Sequence, residues 1–134
     1  MKIVISETET GKSYQTELEK GKIGALLGKK LGEKLEGGLV GAAGYELEIT
    51  GGSDLSGFPM RKDVSGPRRT DVLLSGGVGY RVKNKGARAK KLVRGNTISD
   101  QIYQVNTKVV KKGVKPLEEL FPKAAGAKKD EKKK

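Results

Sequence analysis

Every arginine of this chain lies between positions 61 and 94. In that stretch stand Arg61, Lys62, Arg68, Arg69, Arg81, Lys83, Lys85, Arg88, Lys90, Lys91 and Arg94. From position 51 to 94 the acids are Asp54, Asp63 and Asp71. A guanidinium is planar and always charged. It forks onto phosphate oxygens and stacks on flat rings, whereas an ammonium acts as a point charge. The chemistry these residues offer is recognition of a polyanion, with nucleic acid first and an anionic membrane surface second. The densest run is residues 81–94, which hold Arg81, Lys83, Lys85, Arg88, Lys90, Lys91 and Arg94 and no acid. Asn84, Gly86 and Gly95 point to loop there rather than a long helix. A charge run can be no more than a solvated face, but its arginine content favours contact.

Other chemistries are poorly supplied. The chain has no cysteine and no histidine, so thiolate sites and the usual neutral-pH base are missing. Carboxylates among so many cations pair with arginine more often than they hold a metal. Gly28-Lys29-Lys30 lacks the glycine spacing and the hydroxyl residue of a phosphate-binding P-loop. No catalytic, cofactor-binding or metal residues are therefore expected. No apolar run reaches the roughly 18 residues of a membrane span. The opening residues 1–7 lack a signal core, which suggests a cytoplasmic protein.

Charge is segregated along the chain. Lys and Arg number 28 against 16 acids, a net +12. Residues 1–50 carry 7 Lys and 8 Glu, residues 51–94 carry 11 bases and 3 Asp, and residues 95–134 carry 10 Lys and 5 acids. The excess sits on the middle of the chain, which marks the expected contact face.

The elements that must position these cations read as short strands. Ile3 and Ile5, then Tyr14, Thr16 and Leu18, alternate with polar residues around a turn, a β-hairpin. Ile23, Leu27, Leu31 and Leu35 recur every four residues, so an amphipathic helix is expected over 19–36. Gly24, Gly28 and Gly32 share that interval, and each mid-helix glycine costs about 0.5–1 kcal/mol relative to alanine. They imply either a closely packed neighbour or a broken helix. Further strands are expected at 45–49, 72–74, 80–82, 97–98 and 103–109. The expected fold is mainly β with one or two helices: a small antiparallel β-barrel with basic loops. Residues 1–113 would form one domain and 114–122 a short helical extension behind Pro116. The Lys-rich residues 123–134 lack core-forming side chains and are expected to be disordered.

The stretch 49–60 is the most distinctive. Gly51 and Gly52 permit positive φ, Asp54 can bond backbone N–H groups two residues on, and Pro59 holds Phe58 extended. Phe58 and Met60 would anchor the turn, leaving a rigid loop that presents backbone donors. Ile49, Thr50, Gly51, Gly52, Asp54, Gly57, Pro59 and Met60 match a spaced pattern. It resembles the signature of the archaeal and eukaryotic small-subunit ribosomal protein S-six family. Tyr80-Arg81, the basic run ending at residues 90–95, and residues 109–113 resemble that family's later motifs, so the likeness covers about residues 1–113.

The resemblance implies a structural constituent of the small ribosomal subunit that binds ribosomal RNA and supports translation. Its partners would be small-subunit rRNA and neighbouring ribosomal proteins, with no membrane, cofactor or small-molecule substrate. It would be cytoplasmic and ribosome-bound, with the cations of 61–94 on the RNA. Eukaryotic members continue into a long basic helix and a serine-rich tail. Here no Ser or Thr follows Thr107, so the archaeal short form is the better match. The alternatives are a DNA-compacting or membrane-surface protein and an RNA-processing enzyme. Aromatics are only 4%, and no strand carries an aromatic platform for unpaired bases. Contact is therefore expected to lean on phosphates and folded RNA shape.

Overall fold

The computed structural model describes residues 1–121; the Lys-rich stretch 123–134 lies outside the described residues. β1 (Lys2–Glu7) and β2 (Lys12–Glu17) form the expected hairpin, closed by Gly11 at φ +68°. β7 (Ile102–Lys111) lies parallel to β1, with Ile3 opposite Val105 and Ile5 opposite Thr107. β4 (Glu46–Asp54) runs antiparallel to β7, and the short β3 (Lys34–Glu36) antiparallel to β4. The sheet order is β2-β1-β7-β4-β3. Alternation puts Ile3, Ile5, Leu47, Ile49 and Val105 on the covered face, where all are fully buried. Leu26, Leu31, Leu35, Ile98 and Leu117 belong to the same core. Each such side chain gains about 1.5–3 kcal/mol from burial.

The mainly β fold agrees with expectation, but the sheets do not close into a barrel. β5 (Arg69–Leu74) and β6 (Ala89–Arg94) form a separate two-stranded sheet. Single bridges at Ser53–Pro59 and Met60–Arg94 link this region to the end of β4. Closure requires a continuous ladder around the sheet. Here the β4 ladder ends at Asp54, and the three-residue β3 is an edge. One pair, β1 with β7, is parallel rather than antiparallel.

The helix expected over 19–36 is replaced by one turn, α1 (Lys20–Ile23), followed by irregular chain and β3. Gly28 and Gly32 adopt φ +82° and +92°, which no right-handed helix contains. The freed N–H groups bond elsewhere: Gly28 to Ile98 O at 3.0 Å, Leu31 to Asn96 O at 3.0 Å and Gly32 to Ile49 O at 2.8 Å. Leu26, Leu31 and Leu35 still reach the core, whereas Leu27 is 44% exposed. The strands expected at 80–82 and 97–98 are also absent. Tyr80 and Val82 lie in the long β5–β6 connection, and Thr97 makes a single bridge. α2 (Leu117–Leu120) begins after Pro116 as expected, and buried Leu117 ties it to the core.

β4 continues straight through Gly51 and Gly52, with a register shift between Ile49 and Gly51. Neither glycine has positive φ; the positive φ of the turn, +84°, belongs to Gly57. Gly52 is needed for closeness instead. A Cβ there would lie 2.5 Å from Gln104 O and 3.1 Å from Met60 Sδ. Gly52→Val should push β4 from β7 at a cost of roughly 1–3 kcal/mol. Thermal denaturation should show the melting temperature down by about 5–10 °C. An unchanged transition would mean the strands tolerate separation at this point.

Candidate nucleic-acid interface

Asp54 ends β4, and its side chain is 0% exposed. Its Oδ1 accepts the backbone N–H of Ser56 at 2.8 Å and of Phe58 at 3.1 Å, closing the turn. Its Oδ2 accepts Arg69 Nε at 2.7 Å and Arg94 Nη1 at 3.4 Å. Burial pushes this carboxyl up. The Phe58 N–H, Arg69 and the Ser56 N–H together outweigh that and hold it below the ordinary aspartate value of 3.8. The remaining donors of the turn also face inward: Gly57 N–H to Asp54 O at 3.0 Å and Met60 N–H to Gly52 O at 2.9 Å. The loop therefore does not offer these backbone donors to a ligand; it spends them on itself. Buried Met60 anchors it, and Phe58 is half-buried beneath the Arg69 guanidinium, 4.7 Å from ring centre.

β6 is seated on this turn. Arg94 N–H donates to Pro59 O and Arg61 N–H to Arg94 O, both at 2.9 Å. The Arg94 side chain is 4% exposed, with Nη2 on Ser99 Oγ at 3.0 Å and on Gln101 Oε1 at 2.9 Å. Arg61 is fixed by Asp63 through two bonds of 3.0 and 2.7 Å, and its Nη1 donates to Val78 O at 2.7 Å. The Arg61 guanidinium in turn holds the Asp63 carboxyl below its ordinary value. Asn96 braces the neighbouring turn, accepting the Gly66 N–H at 3.3 Å and donating to Lys62 O at 3.3 Å. Gly95 must be glycine because a Cβ would fall 1.9 Å from Gly66 O.

The expected contact residues thus divide. Arg94 lies inside the fold, and Arg61 and Arg69 are tied to aspartates. Lys62, Arg68, Arg81, Lys83, Lys85, Arg88, Lys90 and Lys91 are exposed, and none of them makes a salt bridge among the described residues. Arg81, Lys83, Lys85 and Arg88 fall in the β5–β6 connection, Lys90 and Lys91 at the start of β6 on opposite faces. Arg68 precedes β5, beside a different cleft. The lysines of the five-stranded sheet are neutralised where they stand. Lys2 meets Glu17, Lys34 and Lys111 meet Glu46, and Lys108 meets Glu48. Lys112 lies between Glu7 and Glu9, which raise its pKa, and Lys12 meets Glu118. Ser99 and Gln101 hold Arg94 from five and seven positions further along, and Asn96 braces the Gly66 turn thirty positions away; no sequence motif marks any of the three. Among the described residues no cluster of His, Cys, Asp and Glu could hold a metal ion. No described helix is long and apolar enough to cross a membrane.

Together these features define a basic, mainly β module in which a charge-balanced sheet carries a docked hairpin of free cations. The family model for ribosomal protein S6e matches residues 1–122. The chain is 52% identical over 120 residues to the small ribosomal subunit protein eS6 of Methanothermobacter thermautotrophicus, covering 90% of this chain and 94% of that protein. It is 50% identical over 121 residues to the eS6 of Archaeoglobus fulgidus, covering 90% and 94%. It is 43% identical over 134 residues to that of Methanoregula boonei, covering 100% and 94%. The chain belongs to the ribosomal protein S6e family, and these archaeal relatives are named as ribosomal proteins rather than enzymes.

Asp54→Asn should leave the buried Arg94 without its counter-charge, at a cost of about 3–5 kcal/mol. Because the native carboxyl titrates below its ordinary value, its contribution is complete above that value and is lost as pH falls through the native one. Urea midpoints for wild type and variant should differ most at pH 5–7 and converge below about pH 4. Parallel curves across that range would remove Asp54 from the stability of the dock.

Proposed function

We propose that this protein is a structural constituent of the small ribosomal subunit that binds ribosomal RNA through the β5–β6 hairpin and its connection. The observation that carries this is the contrast in neutralisation. The sheet lysines sit on glutamates, whereas Arg81, Lys83, Lys85, Arg88, Lys90 and Lys91 are exposed and unpaired among the described residues. Free cations on one docked element release counterions when they meet phosphates. In this reading Arg61, Arg69 and Arg94 hold the hairpin in place while the exposed side chains make the contact. The relatives' names support the ribosomal setting, with neighbouring ribosomal proteins as further partners and a ribosome-bound cytoplasmic location. The geometry argues against an RNA-processing enzyme. Both Asp54 oxygens already take two donors each, and Asp63 is held by Arg61, so neither is free to bind a metal or a substrate proton.

The test is binding to a small-subunit rRNA fragment at several salt concentrations. Each phosphate contact contributes about 0.7–0.9 to the slope of log affinity against log salt. Replacing Lys83, Lys85 and Arg88 by Glu should weaken binding and flatten that slope together. Arg88→Lys should cost severalfold despite its retained charge, because the bidentate fork is lost. Lys29→Ala with Lys30→Ala is the control. A larger loss from the control would move the interface to the 20–33 segment, and equal affinity for duplex DNA would favour a compaction protein.

A further inference from the structure

A cleft of about 750 Å³ opens beside the signature turn, bounded by Leu55, Ser56, residues 67–69, Arg94 and residues 99–101. Its volume falls in the range of small-ligand sites, roughly 300–1,000 Å³. Resting on the RNA-binding role proposed above, we infer that this cleft takes one unpaired nucleotide of the bound RNA, its base stacked on the Arg69 guanidinium.

Arg69 is held flat by three restraints. Nε donates to Asp54 at 2.7 Å, Nη2 donates to Ser56 Oγ at 2.9 Å, and the Phe58 ring covers one face at 4.7 Å. Phe58 does not border the cleft and Arg69 does, with its side chain still 36% exposed. The exposed part of this guanidinium thus offers the cleft a planar cation restrained in place. Guanidinium planes stack unpaired bases as aromatic rings do. The scarcity of aromatics therefore does not deprive this protein of a platform. Phe58 lies under the platform instead of forming it.

The rest of the cleft suits a nucleotide better than a free phosphate. Arg68 is exposed and unpaired among the described residues, a partner for one backbone phosphate. Asp100 is exposed and in no salt bridge among those residues; it would repel a lone anion but accepts from a base amine. Gln101 presents its carbonyl to Arg94, which leaves its amide N–H groups free to donate. Arg94 also borders the cleft, and its Nε is buried without a hydrogen-bond partner. Leu55, 71% exposed at the rim, offers apolar surface to a sugar or base. A paired base, stacked on both faces within a helix, cannot enter.

The experiment uses the full chain, a single-stranded RNA hexamer carrying one 2-aminopurine, and a duplex of the same length carrying the same base. The single strand should bind with a rise in 2-aminopurine fluorescence, because the base leaves its neighbouring bases for a guanidinium that does not quench it, and the duplex should show no rise. Arg69→Lys keeps the charge and loses the plane; it should abolish the rise and weaken the single strand at least about fivefold, the loss of one base stack. Asp100→Leu removes the acceptor for the 2-amino group and lies outside the Asp54 network; it should weaken the single strand and reduce the rise with an unaltered melting temperature, so that misfolding cannot explain the result. An equal rise for single strand and duplex, or a rise untouched by both substitutions, would overturn the assignment. Wild type that binds the rRNA fragment with its full salt slope but never brightens the hexamer overturns the cleft alone. Loss of both overturns the hairpin interface as well.

Discussion

The structure depends on one buried carboxylate placed between two guanidinium groups. Asp54 closes its own turn, receives Arg69 from the start of β5 and Arg94 from the end of β6, and so fixes the hairpin to the sheet. An ion pair out of water contributes little net stability, because desolvation offsets attraction. Its value here is positional. Leu74 and Val93, the buried apolar residues of the hairpin, lie outside the main core cluster. Apolar contact with that core therefore does little to set the hairpin's orientation. Directional bonds to Asp54, Ser99, Gln101 and Pro59 set it instead.

The same economy of charge explains the surface. Exposed ion pairs on the sheet, such as Lys108 with Glu48 and Lys34 with Glu46, are each worth roughly 0–1 kcal/mol. Their larger effect is on the field. Paired lysines leave the sheet close to charge balance, whereas the cations of the hairpin and its connection stand without salt-bridge partners among the described residues.

Local chemistry was legible in the sequence and long-range geometry was not. The Asx turn at Asp54, the Met60 anchor, the first hairpin and the turn of helix after Pro116 all follow from neighbours a few residues apart. The reason for Gly52 does not, because it resides in Gln104 on β7. The four-residue apolar period at 23–35 holds only in part as a burial pattern, because Leu27 is exposed while Leu31 and Leu35 are buried, and it does not form a helix. Gly28 and Gly32 could take positive φ, and Ile98, Asn96 and Ile49 supplied acceptors from other segments. Membership of the basic face was legible as composition only. A run of cations does not say which one turns inward, and Arg94 turns inward because Asp54, forty positions earlier in the chain, waits there.

The fold and the placement of the Arg69 guanidinium are consequently not separable in this protein. A lysine in place of Arg69 could still meet Asp54, but one ammonium cannot bond Asp54 and Ser56 while lying flat on Phe58. The carboxylate that seats the hairpin is the one that fixes the plane of that guanidinium. Exposed lysines elsewhere keep their rotamer freedom, worth roughly 1.5–2 kcal/mol for each long side chain. Arg69 has surrendered most of that freedom within the folded chain. Preorganisation of this kind is set during folding, at Asp54, and lowers the entropic cost of any contact that the proposed cleft would make.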